Sequence, residues 1–350
     1  MKILITGNMG YVGPVVCAHL RQVFSSAELV GYDAGFFSSC MTGCDVLPEF
    51  VLDQQIFGDV RNLDPAHLKG VDYVVHLAAI SNDPISDQFE HATYEINHEA
   101  TIAIARAARE AGAKGFVFAS SCSMYGFADS GPRTENSDLN PLTPYAKSKV
   151  LAERDLQDVA SDDFSVTCLR FSTACGFSPR TRLDLVLNDF VACAVAGQQI
   201  AVLSDGTPWR PLINVSDMAR AIEWGVGRDG DSFLAINVGS ADWNMQVRDL
   251  ANAVERLIPG AGVSINADAP PDKRSYRVDF SLYQRLAPDH QPQKDLDGSI
   301  AELREGLQEM GFADGEFRSS TLMRINHLGR LRDQGLLDAD FRWNRTPKMA

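Results

Sequence analysis

The residues Lys2-Ile3-Leu4-Ile5-Thr6-Gly7-Asn8-Met9-Gly10-Tyr11-Val12-Gly13 set the architecture of this chain. Their apolar start predicts a short buried strand, and the following pattern predicts a helix that continues to about Phe24. A strand, a glycine turn and a helix in this order bind dinucleotides in many folds. Gly7 permits the tight turn, Gly10 lets the backbone approach a pyrophosphate, and Gly13 lets the helix pack closely. The spacing is G-x-x-G-x-x-G rather than G-x-G-x-x-G, so a glycine turn without a ligand remains an alternative.

Strand and helix patterns alternate along the chain after this first unit. Short apolar runs predict strands at 28–32, 56–61, 71–79, 116–119 and 166–171, with helical patterns such as 91–112 between them. Near-continuous apolar strands are typical of a parallel sheet that is buried on both faces. The predicted fold class is therefore α/β, with a Rossmann-type doubly wound parallel sheet.

The pattern becomes less regular after Thr173, where we expect a smaller α/β substrate-binding lobe that includes a strand at 276–279. The predicted division is a dinucleotide-binding domain at 1–172 with a returning segment at about 212–238, a substrate-binding lobe at 173–211 and 239–315, and a helical C-terminal tail at 316–350. The tail has arginines at 318, 324, 330, 332, 342 and 345. We interpret them as the solvated basic face of a helix.

Two carboxylates follow predicted strands at one edge of the sheet. Asp33 ends the second strand, where a carboxylate can accept hydrogen bonds from both hydroxyls of an adenosine ribose and repels a 2′-phosphate. The sequence therefore favours NAD over NADP, unless Asp33 only caps a loop. Asp59 ends the third strand and is suitably placed for the adenine amino group.

His76 lies inside an apolar strand, so we interpret it as structural rather than catalytic.

Composition excludes several classes of protein. The chain has 350 residues, a hydrophobic fraction of 45% and a net charge of −14, which argues against nucleic-acid binding and means that bound phosphates need local donors such as arginine. No apolar run approaches the ~20 residues that span a membrane, and the N-terminus fits a strand better than a signal peptide, so we expect a cytoplasmic protein. The 7 cysteines are irregularly spaced, which indicates free thiols and no metal site.

A second informative stretch is Tyr145-Ala146-Lys147-Ser148-Lys149, which follows Pro144 at the predicted start of a helix. Residues i and i+4 share a helix face, so Tyr145 and Lys149 would point the same way. A lysine ammonium favours the phenolate, so we expect the pKa of Tyr145 to fall from about 10 toward neutrality. A tyrosine with this pKa can exchange protons with a substrate hydroxyl.

These motifs together resemble those of the extended short-chain dehydrogenase/reductases, and of their NAD-dependent nucleotide-sugar epimerase/dehydratase group in particular. The resemblance runs from Met1 to about residue 290 and is carried by Gly7/Gly10/Gly13, Asp33, Asp59, His76-Leu77-Ala78-Ala79, Ser121 and Tyr145/Lys149. It implies that NAD contacts Gly7, Gly10, Tyr11, Val12, Gly13, Asp33, Asp59, Val60, Leu77, Ala78, Ala79, Asn97, Ala119, Tyr145 and Lys149. It implies substrate contacts from Ser81, Ser121, Ser123, Thr173, Asn188, Arg210 and Arg274.

The resemblance also implies individual roles. Ser121, four positions before the tyrosine of the Met124-Tyr125-Gly126 stretch, would hydrogen-bond the substrate oxygen that becomes a carbonyl. Asn97 would hold backbone geometry near the site. Asn188 and Arg210 would lie at the diphosphate of a nucleotide sugar.

The chain departs from the family at four places. Dehydratases of the group have Asp-Glu where this chain has Cys122-Ser123, and decarboxylases have Glu at the position of Ser123. The family places an asparagine at the position of Thr173. A family arginine falls on Ala269, and Arg274 (or Arg277) is the expected replacement, since the planar guanidinium fork suits a diphosphate.

The resemblance therefore favours an NAD-dependent nucleotide-sugar epimerase, acting at C4 through a transient 4-keto sugar. The alternative is a nucleotide-sugar 4-ketoreductase or dehydrogenase of deoxysugar biosynthesis, because the same three catalytic residues serve both reactions. A non-catalytic NAD-sensing protein is a further alternative. A homodimer is expected through helices at 91–112 and 145–158.

Overall fold

The computed structural model describes residues 1–128, 131–269 and 274–344. In these ranges the strands are β1 (Lys2–Thr6), β2 (Glu28–Asp33), β3 (Gln54–Phe57), β4 (Tyr73–His76), β5 (Gly115–Ser121), β6 (Ser165–Phe171), β7 (Thr173–Cys175), β8 (Ile200–Val202), β9 (Trp209–Asn214), β10 (Phe233–Val238), β11 (Asn244–Gln246) and β12 (Val263–Ile265). The helices are α1 (Gly13–Val23), α2 (Asp83–Gln88), α3 (Glu90–Tyr94), α4 (Ala100–Glu110), α5 (Pro144–Gln157), α6 (Val186–Val195), α7 (Val215–Gly225), α8 (Val247–Leu257), α9 (Ser281–Leu286), α10 (Leu296–Glu309) and α11 (Arg324–Asp333).

Seven strands form a parallel central sheet in the order β10-β6-β5-β4-β1-β2-β3. The chain runs outward in one direction from β1 to β3 and then in the other from β4 to β10, so the strand order reverses between β1 and β4. Ligands of doubly wound sheets bind at this reversal, beyond the carboxyl ends of the strands. The predicted Rossmann-type α/β class is confirmed.

Two smaller sheets, of order β11-β9-β7 and β12-β8, lie outside the central sheet. Helices α6, α8 and α10 pack with them around a separate apolar cluster that includes Leu187, Leu250 and Leu303. The exact division of the chain into domains stays a prediction.

Three predicted elements differ from the structure. The strand expected at 56–61 ends at Phe57, because Asp59 caps a short 3₁₀ turn by accepting a hydrogen bond from the Arg61 amide. The helix expected at 91–112 is interrupted by a π turn at Glu95–Glu99. The segment 276–279 makes only isolated bridges, such as Arg133 with Val278, and forms no strand.

The C-terminal tail contains the expected helix, α11, but its arginines do not all lie on a solvated face, because Arg324 is buried. Leu328, Leu331, Leu337 and Phe341 belong to the same buried cluster as Leu4 of β1. The tail therefore packs on the central sheet domain, although Arg330 remains exposed. Arg345 lies outside the described residues.

Within the described ranges, no helix is both long and apolar enough to cross a membrane. The same residues contain no group of three or more His, Cys, Asp or Glu side chains that could hold a metal ion.

Candidate active site

A cavity of about 1130 Å³ opens at the carboxyl edge of the central sheet. Its wall includes Gly7 after β1, Leu77 after β4, Ser121 at the end of β5 and Ser172 after β6. These strands flank the reversal of strand order, so the cavity lies where a dinucleotide binds in this type of sheet.

The glycine turn at the cavity wall leaves no room for side chains at two of its three glycines. Gly7 has φ of 73°, and a Cβ there would lie 2.5 Å from the amide nitrogen of Ala78. A Cβ on Gly13 would lie 2.3 Å from the carbonyl oxygen of Asn8. Gly10 is open by comparison, since its nearest neighbour would be 3.3 Å away, and its backbone faces the cavity. A pyrophosphate could therefore approach the backbone at this turn.

Asp33 and Asp59 both line the cavity, next to each other in the sheet order. Asp33 accepts hydrogen bonds from the amides of Met9 (3.0 Å) and Gly35 (2.7 Å), and its burial raises the pKa of the carboxyl group. Asp59 is held by Arg61, whose Nη2 lies 2.6 Å from Oδ2. Both carboxyl groups are thus fixed in orientation before any ligand binds.

Tyr145 and Lys149 lie on one face of α5, which begins with Thr143 as N-cap and Pro144 in the first turn. The Ser121 side chain acts to lower the pKa of the Tyr145 hydroxyl. Nζ of Lys149 donates to the carbonyl of Ala119 at 2.7 Å and lies 5.8 Å from the centre of the Tyr145 ring. The structure therefore brings these side chains together at the cavity wall.

The pKa values differ from the expectation that Lys149 makes Tyr145 acidic. Burial raises the pKa of Tyr145 to about 12, although its contact with Ser121 lowers it, and burial lowers the pKa of Lys149 to about 7. Removing both groups from water penalises phenolate and ammonium alike, and this penalty exceeds their mutual attraction in the protein alone. The expected fall in the Tyr145 pKa is wrong for the protein without ligands.

The opposite end of the cavity carries the predicted substrate contacts. Its wall includes Ser81, Ser121, Ser123, Thr173, Arg210 and Arg274. Nη1 of Arg274 lies 2.8 Å from Oδ2 of Asp83, so this arginine is oriented by a carboxylate at the cavity wall. Oγ of Ser123 is buried and has no hydrogen-bond partner among the described residues, which makes it available to a ligand hydroxyl. Arg277 stacks on Trp209 instead of lining the cavity.

Asn97 and Asn188, two of the predicted contacts, are fully buried and do not line the cavity. Asn97 accepts a hydrogen bond from the Ile80 amide (2.8 Å) and donates to the Ile80 carbonyl (2.9 Å), so it fixes the chain after β4 without reaching a cofactor. Asn188 accepts from the Gly176 amide at 3.1 Å and donates to the Tyr11 hydroxyl at 3.1 Å. It therefore supports Tyr11, and its contact with a diphosphate stays a prediction.

Sequence reasoning missed an ion pair inside the cavity. Arg182 donates from Nε to Oδ1 of Asp184 at 2.7 Å and from Nη1 to Oγ of Ser81 at 3.0 Å, and Asn82 donates to the same carboxylate. The guanidinium of Arg182 acts to lower the pKa of Tyr145. Arg182 lies in a loop without a helical or strand pattern, so the direction of its side chain could not be predicted.

His76 and Cys122 lie outside the cavity. His76 is fully buried between Thr6 and Thr101, with Nδ1 2.8 Å from one hydroxyl and Nε2 3.0 Å from the other, and burial lowers its pKa to about 3. Cys122 is also fully buried, and its Sγ donates to the Arg170 carbonyl at 3.0 Å. His76 is therefore a structural residue.

The wall fits NAD on several independent points. The open backbone at Gly10 suits a pyrophosphate, and Asp33 suits an adenosine ribose without a 2′-phosphate. Ala78, Ala79 and Ala119 are small residues at strand ends that leave room for a flat ring.

Comparison with known proteins also indicates an NAD-dependent protein. The family model described as the NAD dependent epimerase/dehydratase family matches residues 3–239. An uncharacterised UDP-glucose epimerase, YtcB, of Bacillus subtilis (strain 168) is 30% identical over 254 residues, covering 69% of this chain and 78% of the relative. The UDP-glucose 4-epimerase of the same organism is 27% identical over 284 residues, covering 73% and 82%.

Among solved structures, the NAD-dependent NDP-hexosamine 5,6-dehydratase TunA, of tunicamycin biosynthesis, superposes with a TM-score of 0.77 at 25% identity. The match covers 90% of this chain and 99% of TunA.

Proposed function

The chain belongs to the NAD-dependent epimerase/dehydratase family, and from this membership we propose that it is a nucleotide-sugar epimerase that inverts C4 through a 4-keto sugar. The observation that carries the proposal is that Ser121, Tyr145 and Lys149 line the same cavity as the glycine turn and Asp33. The relatives named UDP-glucose epimerases support the nucleotide-sugar substrate.

In this proposal the residues of the chain handle the proton of the C4 hydroxyl. Tyr145 takes that proton, and the Ser121 hydroxyl donates a hydrogen bond to the oxygen as it becomes a carbonyl. When bound, NAD⁺ would supply a positive charge and a reversible acceptor for the C4 hydride. Tyr145 would give the proton back to the oxygen once the keto sugar has turned and C4 is reduced on its other face. Lys149 holds the cofactor ribose and stabilises the phenolate of Tyr145.

The substrate end supplies donors for two phosphates in a protein of net charge −14. We assign Arg210 and Arg274 to the diphosphate, and Ser81, Ser123 and Thr173 to sugar hydroxyls, because all five line the same cavity as Tyr145. Arginine is suited to this position because its donors form a planar fork.

Dehydration, the reaction named for TunA, is disfavoured by the residues after Ser121. An elimination needs an acid and a base there, but Cys122 is fully buried outside the cavity wall and burial raises the pKa of its thiol. Ser123 reaches the cavity with a hydroxyl only. The 4-ketoreductase remains the second candidate, since it needs the same Ser121, Tyr145 and Lys149.

A panel of UDP- and dTDP-hexoses tests the proposal. We expect the C4 epimer of one sugar to form without added NAD(H), with no net NADH and no loss of water by mass spectrometry. Unchanged sugars across the panel, or a 4-keto sugar reduced only when NADH is added, would overturn the epimerase in favour of a different reaction.

We further propose a cytoplasmic homodimer, held by α4 and α5. Ala103 and Arg106 on α4 and Lys147 on α5 are exposed, so these helices retain a free face in the single chain. Light scattering of the purified protein should give twice the chain mass of 38.3 kDa. A mass of one chain at micromolar concentration contradicts the dimer.

A further inference from the structure

The C-terminal residues 324–343, here called the C-terminal clasp, lie along the cofactor end of the cavity. His327 donates from Nε2 to the Phe36 carbonyl at 2.7 Å, and Trp343 donates from Nε1 to the Ala34 carbonyl at 2.6 Å. Ala34 and Phe36 follow Asp33 directly. The clasp is therefore attached to the loop that carries the expected ribose carboxylate.

Arg324 is the cation of this clasp that lines the cavity. It is 3% exposed, its Nη2 donates to the Arg180 carbonyl at 2.6 Å, and its guanidinium lies 4.2 Å from the centre of the Phe37 ring. Nη1 is buried without a hydrogen-bond partner among the described residues. Burial lowers the pKa of Arg324 to about 10, so the group remains charged at neutral pH. A buried cation with one unsatisfied donor is costly unless an anion arrives nearby.

Phe341 is an apolar residue of the C-terminal clasp at the cavity wall. It is 1% exposed, lines the cavity and lies edge-on to Phe89 with ring centres 4.5 Å apart. Among the described residues it is the only non-glycine with a left-handed backbone, at φ of 57°. Such strain in a bulky residue persists only where the surrounding structure imposes it, often at ligand sites.

Arg61 connects Phe341 to the expected adenine contact. Its Nη2 lies 2.6 Å from Oδ2 of Asp59 and 3.3 Å from the Phe341 carbonyl, and its Nη1 donates to the Asp340 carbonyl at 2.7 Å. The clasp and the Asp59 carboxylate are therefore held by one guanidinium on the same side of the cavity.

We propose that the C-terminal clasp completes the binding site for the adenosine half of NAD, with Phe341 against the adenine and Arg324 facing the adenosine phosphate. The clasp closes this end of the cavity, so the dinucleotide leaves only when residues 324–343 move. The proposal rests on NAD as cofactor and is independent of the reaction at C4.

Binding measurements on NAD-free protein test the two side chains. We expect Arg324→Gln and Phe341→Ala each to raise the Kd for NAD by about tenfold or more, measured by calorimetry. Arg324→Lys, which keeps the charge, should recover part of the affinity. Arg256→Gln is the control, because Arg256 is an exposed arginine on α8, outside the clasp and outside the cavity lining, and its Kd should equal that of the wild type.

A Kd within about twofold of the wild type for both Arg324→Gln and Phe341→Ala would overturn the proposal. Hydrogen exchange gives a second readout that needs no substitution. ADP-ribose, the adenosine half with its diphosphate, should slow exchange at 324–343 as much as NAD does, whereas nicotinamide mononucleotide should not. Protection of the glycine turn by ADP-ribose without protection of the clasp would equally contradict it, whatever the sugar chemistry.

Discussion

Burial and neighbouring side chains shift the pKa of the Tyr145 hydroxyl in opposite directions. This pKa decides whether Tyr145 can take part in proton transfer. Burial raises its pKa to about 12, while Ser121 and Arg182 act to lower it. The phenolate therefore needs further positive charge, which the nicotinamide supplies when NAD⁺ binds. Without NAD⁺ we expect Tyr145 to keep its proton, and with NAD⁺ bound we expect it to be able to release the proton.

Replacing the hydroxyl tests this directly. Tyr145→Phe should lower kcat by about 10²–10⁴-fold, because proton transfer by a positioned side chain contributes that much, while the Kd for NAD changes little. Tyr94→Phe is the matched control, since Tyr94 lies on the neighbouring α3 and does not line the cavity. A Tyr145→Phe enzyme with the kcat of Tyr94→Phe would contradict the assignment.

The buried Lys149 amine should make stability depend on pH. Folding lowers its pKa from 10.5 to about 7, so between these values the unfolded chain binds the extra proton and the free energy of unfolding rises with pH. From about pH 6.5 to about pH 9.5 this contribution grows by about 3 kcal/mol. Lys149→Met should lose that rise, whereas Lys147→Met, on the exposed side of the same helix, should keep it.

Urea unfolding of NAD-free protein at the two pH values measures this difference. Equal pH dependence in Lys149→Met and Lys147→Met would mean that the Lys149 amine stays hydrated in the folded protein.

Helix α5 is fixed to the sheet below the site by a buried ion pair. Arg170 on β6 donates from Nη2 to Oε2 of Glu153 at 2.7 Å, and Ser120 donates to the same carboxylate. Glu153 also opposes the fall in the Lys149 pKa. The pair therefore determines where the whole face of α5 that carries Tyr145 lies.

Glu153→Ala should destabilise the protein by about 3–5 kcal/mol, because it leaves the Arg170 guanidinium buried without its partner. Arg154→Ala, which removes an exposed ion pair with Asp155 on the same helix, should change stability by less than about 1 kcal/mol. Chemical denaturation of both variants provides the comparison. A cost for Glu153→Ala no larger than that for Arg154→Ala would show that the buried pair does not fix α5.

Helix α1 packs closely against the glycine turn at Gly13, and a substitution there tests whether this contact is needed for stability and for NAD binding. Gly13→Ala should destabilise the protein and weaken NAD binding, since its Cβ would overlap the Asn8 carbonyl. Gly329→Ala, in α11, has nothing within 4 Å of the new Cβ and should stabilise by about 0.5–1 kcal/mol. Thermal unfolding and NAD titration of both variants measure the two effects. Unchanged NAD affinity in Gly13→Ala would mean that α1 can shift without loss of the site.

Local signals in the sequence predicted the elements where one residue type is required. The glycine turn and the start of α5 at Pro144 could be predicted because each follows from backbone chemistry, and Asp33 because it follows an apolar strand pattern. The strand at 56–61 was predicted too long, since the capping role of Asp59 competes with an apolar pattern. The burial of Asn97 and Asn188 could not be predicted, because burial of a polar side chain depends on contacts distant in sequence.

At the scale of the whole molecule, the C-terminal tail also shows that contacts distant in sequence cannot be predicted from a local pattern. Its arginines give the pattern of a solvated helix, yet Arg324 lies inside the cavity wall and Phe341 in the core. The partners that bury them, Phe37 and Phe89, lie about 250–290 positions earlier in the chain. Spacing within the tail contains no information about such contacts.

One continuous cavity is lined by both the expected cofactor contacts and the expected substrate contacts, which suits a reaction whose hydride never leaves the protein. An epimerase returns the hydride to the molecule that lost it, while a reductase or dehydrogenase exchanges its cofactor. The two reactions therefore differ in the fate of one hydrogen atom, the one that leaves C4 of the sugar as hydride.

The most direct measurement follows UDP-glucose that carries deuterium at C4, incubated with the protein without added NAD(H). We predict that NMR and mass spectrometry find the C4 epimer with its deuterium still at C4 of the same molecule. Loss of the deuterium to bulk solvent or to free NADH, or a product that has lost water instead of inverting C4, would contradict the account.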